Sequence, residues 1–319
     1  MDHTDHSGMW MPTDPPTWAR MFVPHLDAWS LIPAVSVLAL AAYLVGLVRL
    51  RRSGVRWPWW RTLSFALGAL SLFAVTGTGL NGYAMVLFSV HMSQHMVLSM
   101  IAPILLLIGS PVTLALRTLP RGRTAAGTPR ALLLEALHSR VARFLSHPGF
   151  TMPLFIGSLY GVYFTPVFDD LMADPFGHQV MLAHFTVTGL LFFGPIIGAD
   201  PWPRNLSHPG RMGELLLPVP FHAFFGVAIM MADSLLVTSF ANPPASWGVD
   251  ALADQATAGS IAWSFGELPT VLVLAVVFFQ WAGSEERKGR TQDRTADRNG
   301  DADLVAYNER LRRMADARP

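Results

Sequence analysis

The chain contains no cysteine among its 319 residues. That absence excludes disulfide frameworks, thiolate zinc sites, iron–sulfur clusters and cysteine-based copper relays, so any metal must be held by His, Met or carboxylate. Charge is nearly as scarce. Asp, Glu, Lys and Arg make up 14% of the sequence against 51% hydrophobic residues, where soluble domains carry roughly 25% charged residues. The composition argues against a soluble enzyme. The net charge of +1 gives no sign of a nucleic-acid partner and none is expected, but the distribution of charge is informative.

No charged residue occurs between Arg61 and Arg117, from Phe144 to Phe168, or from Pro175 to Ala199. Such runs exceed the roughly 20 apolar residues that a membrane-spanning helix needs. They are continuously apolar, whereas a membrane barrel would alternate at every second residue. The expected fold is therefore all-α: a polytopic membrane protein with a seven-transmembrane helix bundle, its spans at about 29–48, 61–80, 83–109, 148–166, 176–198, 215–241 and 257–281. Residues 1–28 form a polar N-terminal segment with no resemblance to a cleavable signal, so the first span is expected to act as the targeting signal.

Counting Lys and Arg by loop sets the orientation. Alternate connections hold Arg49, Arg51, Arg52, Arg56 and Arg61, then six Arg from Arg117 to Arg143, then Arg204 and Arg211, then nine basic residues in the tail. The other side holds Arg20 alone, a 22-to-1 split. The N-terminus is thus expected outside and the C-terminus in the cytoplasm, with 29–283 as the membrane domain and 284–319 as a polar, mostly disordered tail. Leu304, Tyr307, Leu311 and Met314 would allow a short helix there. Leu133, Leu137, Val141 and Phe144 at helical spacing predict an amphipathic helix on the inner leaflet near 130–146.

Once the apolar filler is set aside, the spans retain His91, Gln94, His95, His184, His222, Asp233 and Glu267. Polar groups at membrane depth are costly and by default mark a site. At ~1.5 Å per residue, His91 and His95 fall roughly 12 and 18 Å below the outer end of span three, His184 about 12 Å down span five, Asp233 about 12 Å down span six and Glu267 about 15 Å down span seven. His222 falls near the inner end and reads as structural.

His91-Met92-Ser93-Gln94-His95-Met96 is the sharpest pattern. Residues four apart share a helical face, so both imidazoles can reach one ion, with Met92 and Met96 as a second stripe. Met85 and Met100 extend that stripe, and Met181, Met230 and Met231 lie on spans five and six. Imidazole with thioether selects Cu(I), although Met is also a common gap-filler of apolar cores. His3, His6, Met9 and Met11 repeat the chemistry in the N-terminal segment, where a flexible chain could capture copper.

The block His91 to Met96, followed by Pro103 and Gly109-Ser110-Pro111, resembles the bacterial CtaG family of cytochrome c oxidase assembly factors, seven-span membrane proteins linked to copper delivery. So do His184 with Gly189, Leu191, Phe192, Phe193 and Pro195, and Asp254-Gln255 with Gly259, Trp263 and Gly266. The likeness covers roughly residues 20–282. At Ala262 the family often has Met, so span seven is given no ligand. The resemblance implies an accessory, non-enzymatic protein of the bacterial plasma membrane that helps mature a haem–copper oxidase. Oxidase subunits and an extracytoplasmic copper donor are its implied partners.

Joined to the residues, this gives a carrier in which Cu(I) is held by His91 and His95 with help from His184, Met92 or Met96. Asp233, Glu267 and Gln94 would neutralise the cation, orient an imidazole or exchange protons with it, or simply satisfy one another as buried polar groups. A copper transporter or resistance protein with Asp233 and Glu267 as translocation carboxylates is the main alternative. A haem held between His91 and His184 is another. A hydrolase fits worst, since the His pair lacks the Glu of the zinc-protease helix motif.

Overall fold

A computed structural model describes residues 10–27, 30–120, 127–204, 206–299 and 302–316; His3, His6 and Met9 lie outside the described residues. The described chain is helical, its only β pairing an isolated bridge between Pro24 and Thr78. It divides into two compact units, one ending at Leu274 and one beginning at Ala275.

After a single turn, α1 (Trp18–Met21), come α2 (Leu31–Arg52) and α3 (Trp59–Thr76). Arg49, Arg51 and Arg52 in the last turn of α2 complement its exposed carbonyls. The short α4 (Gly79–Tyr83) leads to α5 (Phe88–Met96), a π-helical turn at Val97–Ile101, and α6 (Ala102–Ile108), which form one continuous rod with α7 (Pro111–Thr118) beyond a bend at Ser110. The amphipathic stretch expected as one helix is two, α8 (Pro129–His138) and α9 (Arg140–Leu145). Ser139 is extended between them and accepts from the Ala142 N–H, capping the second helix.

Then follow α10 (Pro148–Tyr163), α11 (Val167–Met172) and α12 (Pro175–Ile197). The last starts on the Asp174 cap with Pro175 in its first turn and stops at Gly198 in the left-handed region. Helices α13 (His208–Leu216), α14 (Val219–Met230) and α15 (Ala251–Asn299) complete the order with α16 (Ala302–Asp316). The described part of the tail is therefore helical rather than disordered. Glu285 to Lys288 at 2.8 Å and Glu286 to Arg290 are paired at helical spacing, which supports a polar helix by itself.

Five helical stretches are long and apolar enough to cross a membrane: Leu31–Arg52, Phe88–Thr118, Pro175–Ile197, His208–Met230 and Ala251–Thr291. Helices also occupy the two other expected positions. However, α10 has 16 residues, and α3 opens on Trp59-Trp60-Arg61-Thr62, which dilutes its hydropathy. Span six is displaced from its expected place. It runs His208–Met230 rather than 215–241, because the chain leaves the helix at Met231 and forms a loop through Asp233 and Ser234.

Two packing devices fix the centre. In the central rod, Pro103 has no N–H for the carbonyl of Ser99, and the helix there widens into the π-turn. Helix α12 crosses at this point through Gly189, where a Cβ would collide with the Ser99 carbonyl oxygen and Pro103. At one end of the bundle, residues 10–27 are strapped across α4. Tyr83 Oη donates to the Asp14 carbonyl at 3.1 Å, Thr78 Oγ1 to Met21 at 2.8 Å, and the Gly79 N–H to Val23 at 2.9 Å. From Trp10 onward, then, the segment expected to be flexible is tied down. At the other end, Asp200 accepts from the Val112 and Thr113 N–H groups and from Thr113 Oγ1 at 2.6 Å, capping α7.

Gly189→Ala is expected to destabilise the fold by about 1–3 kcal/mol, the cost of overpacking a tight contact, read from thermal unfolding in detergent. An unchanged midpoint would mean that α12 does not approach the π-turn this closely.

Candidate functional site

Helix α5 carries the patterned segment, and its start at Phe88 rather than residue 83 puts His91 and His95 about 5 and 11 Å along it. His91 is fully buried, and its ring nitrogens make no hydrogen bond of good geometry, although the Ala84 backbone lies close enough to interact with the ring. Aromatic rings surround it: Phe168 edge-on at 5.0 Å, Phe240 at 5.7 Å and Tyr163 at 6.1 Å. The neighbouring imidazole is His178, one turn into α12, which lies within electrostatic reach of His91. It is also fully buried with both nitrogens unpartnered.

One level further along α5, His95 shares a 2.8 Å hydrogen bond between its Nδ1 and Tyr163 Oη, and its ring lies 3.9 Å from that of Phe185. His91, His184 and His222 are its imidazole neighbours. His184 Nε2 is hydrogen-bonded to Ser158 Oγ at 2.7 Å. His222 is 5% exposed, its Nδ1 has no partner, and its ring occupies the space that a side chain at Gly266 would fill. With His95, Ser99, Ser158 and Thr188 it lines one cavity. Met92 and Met96 are fully buried, as are Met181 and, nearly so, Met100.

Several expectations are corrected by this geometry. His222 lies in the first turn of α14, part-way along the apolar stretch His208–Met230, and it shares a cavity with His95 rather than standing apart as a structural residue. Asp233 is exposed in the loop after α14, because the helix has ended three residues earlier. Glu267 is exposed on α15, at the rim of a cavity it shares with His222, and makes no contact with His91 or His95 that would neutralise a cation there. Gln94 is buried but faces away from the histidines, its Nε2 donating to the Val75 carbonyl at 2.6 Å and to Asn81 Oδ1 at 2.9 Å. Met231 is exposed, and Met230 accepts from Ser260 Oγ at 3.3 Å. Met11 lines a separate cavity with Trp10, His25 and Tyr83. Among the described residues no three of His, Asp and Glu converge as a ready metal cage.

Two residues that sequence reasoning passed over complete the layer. His178 lies in the same charge-free run as His184, three residues before Met181, a spacing that was legible. Tyr163 is the last residue of α10, and nothing in its spacing marks it.

The lid over His91 is held from outside the spans. Asp169 of α11 accepts from the Thr238 N–H and Oγ1 at 3.1 and 2.8 Å, and from the Ser239 N–H and Oγ at 2.9 and 2.6 Å. This clamp joins the segments bearing Phe168 and Phe240. Burial alone would raise the Asp169 pKa, but the donors from Ser239 and Thr238 outweigh it and hold the carboxyl below its usual range.

Fold and site together define a helical membrane protein built around buried imidazoles. Residues 41–284 match the family model for the cytochrome c oxidase caa3 assembly factor, Caa3_CtaG, and the chain belongs to that family. Uncharacterized proteins of Mycobacterium bovis and Mycobacterium tuberculosis are each 44% identical over 309 residues, and one of Mycobacterium leprae is 42% identical over 313. Each alignment covers 94% of this chain and 46% of the relative, so the chain spans about half the length of these curated relatives. No solved structure matches.

Tyr163→Phe leaves His95 Nδ1 buried without a partner and is expected to cost about 1–3 kcal/mol of stability, measured by denaturant or thermal unfolding; no change would remove the bond. The Asp169 clamp contributes fully above the ordinary aspartate pKa of about 3.9 and weakens as pH falls through its lower folded value. Thermal midpoints measured against pH should therefore drop more steeply at the acid end in wild type than in Asp169→Asn.

Proposed function

We propose that this protein is an accessory factor for cytochrome c oxidase maturation that holds Cu(I) as cargo within the membrane and passes it to the oxidase. The family supports the assembly role. The observation that carries the copper reading is the pair His91 and His178, both buried, with no side-chain partner on any of their four ring nitrogens and only the Ala84 backbone near His91. Burying such polar atoms without partners is costly, and a ligand would offset that cost. Two neutral imidazoles with buried thioethers nearby suit Cu(I), which needs few ligands and soft ones. His91 and His178 would receive the ion. His95, which keeps its Nε2 apart from the Tyr163 bond, and His184 would follow at the next level, with Met92 or Met96 assisting. A set of this kind releases its ion more readily than a closed four-ligand cage.

Seven spans are part of the same reading, with the N-terminus outside, the C-terminus in the cytoplasm of a bacterial plasma membrane, and an extracytoplasmic copper donor on the side of the 10–27 strap. The arginine asymmetry between loops supports it. The protein acts as a carrier and not as an enzyme. The transporter alternative loses one of its two carboxylates to the loop at Asp233.

Copper per protein, measured after loading with Cu(I) under reducing conditions, tests the site. Wild type should retain copper, and His91→Ala with His178→Ala should lose it, with an affinity loss beyond the roughly 10–100-fold seen when an outer partner of a ligand is removed. Equal copper in both defeats the assignment, and a Soret band in the purified protein would favour haem. Normal oxidase activity in cells lacking the protein would defeat the assembly role.

A further inference from the structure

Glu267 presents an unexplained charge. It lies 13 residues after Asp254 and 18 before Glu285 on α15, about 20 and 27 Å along the helix, so it falls in the middle of an apolar span. Its side chain is exposed and makes no hydrogen bond or ion pair with any described residue. Around it the surface is apolar: Trp263 is 45% exposed, Leu268 63% and Val271 59% on α15, and Phe221 and Phe224 are 45% and 69% exposed on α14. A carboxyl group facing lipid at this depth is unfavourable, and intramembrane carboxylates ordinarily face a partner or a polar cavity.

A second observation lies beneath it. Glu267 lines a cavity with Met100, Trp263, Gly266 and His222, and His222 also lines the separate cavity that reaches His95. His222 is buried with its Nδ1 unpartnered. It therefore stands between the imidazole layer and the side of the bundle marked by Glu267.

We propose that the α14–α15 face around Glu267 is the docking surface for a membrane-spanning helix of another protein, one that presents a cation or hydrogen-bond donor at mid-membrane, and that His222 links this face to the histidine layer. Charge complementarity selects the occupant. Lipid tails supply no donor to Glu267, and a second copy meeting this one across a two-fold axis at that point would bring carboxylate against carboxylate. A helix with Lys, Arg, His or Asn at that depth satisfies the carboxylate, and the exposed aromatic and aliphatic side chains pack against its flanks. The proposal rests on the reading that α14 and α15 cross the membrane, but not on the identity of the cargo.

The experiment places a photo-reactive phenylalanine analogue at Phe224 or Leu268 in the full chain in native membranes, with a third site at the exposed Leu38 of α2. Adducts from Phe224 and Leu268, but not Leu38, should map by mass spectrometry to a membrane-spanning segment of another protein that carries a donor side chain at mid-depth. Their yield should fall at least fivefold in Glu267→Leu. Glu267→Gln, which keeps the shape and loses the charge, should reduce it also, and thermal unfolding verifies that both variants fold. Adducts to lipid alone, to a second copy of this chain or to a segment without a donor, or a yield indifferent to Glu267, would overturn the proposal. Because the chain has no cysteine, Phe224→Cys and Leu268→Cys give a clean check on the membrane reading: labelling by a water-soluble maleimide would defeat that reading. Cross-links that persist in the His91→Ala, His178→Ala protein separate docking from copper binding.

Discussion

The contact between the Ser99 carbonyl and the backbone of α12 at Gly189 is the constraint on which the rest of the bundle depends. Pro103 cannot donate to Ser99, and the rod relaxes into a wider turn just after His95. A widened turn exposes a carbonyl and offers a concave face, and only a residue without a side chain can enter it. Ser99 Oγ bonds back to the His95 carbonyl at 2.8 Å, holding the preceding turn closed. Because α12 is seated there, it runs along α6 and the π-turn, and its first turn carries His178 to within electrostatic reach of His91. The same seating brings Phe185 against His95. One close approach thus sets the height of two histidine levels.

The two levels differ in how their polar atoms are satisfied. In the lower level two rings are partnered, Tyr163 serving His95 and Ser158 serving His184, while the Nδ1 of His222 has no partner. These bonds stabilise by roughly 0.5–1.5 kcal/mol each and leave a larger cost, about 1–3 kcal/mol, if broken. The upper level has no such partners and is closed off by Phe168 and Phe240, themselves clamped through Asp169. Aromatic edges contribute packing without hydrogen-bond acceptors of matching strength. Side-chain hydrogen bonds thus hold His95 and His184, and none holds His91 or His178. On the proposed copper reading, that difference would favour capture at His91 and His178.

How much of this was legible in the sequence follows from the length of each signal. Charge-free runs exceeding a membrane thickness fixed the helices, and the His91 to Met96 block was visible because a spacing of four puts its members on one face. Span six was misplaced because hydropathy does not distinguish a helix from an apolar loop: Leu235, Leu236 and Val237 continue the run although the chain has already left the helix. That shift carried Asp233 into the loop and set His222 part-way along the span. The directions of Gln94 and Glu267 could not be read from depth alone, since depth says nothing about azimuth around a helix. Tyr163 was missed for a related reason, because its partner lies 68 residues away in sequence.

The corrected azimuths change what the histidines can do. Carboxylates packed against the imidazoles would have drawn a cation in and held it by charge, whereas a layer of neutral rings with thioethers nearby discriminates by softness instead. Hard cations gain too little from such ligands to repay their dehydration, while Cu(I) forms strong bonds with two or three of them. The absence of a fixed third ligand then favours movement, since an ion bound by two imidazoles can gain a third from the next level before it releases the first. On the proposed copper reading, passage from His91 and His178 to His95 and His184 would be stepwise exchange of this kind. His95 would take the ion through the Nε2 that the Tyr163 bond leaves free, whereas binding at His184 Nε2 would displace the Ser158 bond, which can re-form once the ion has left.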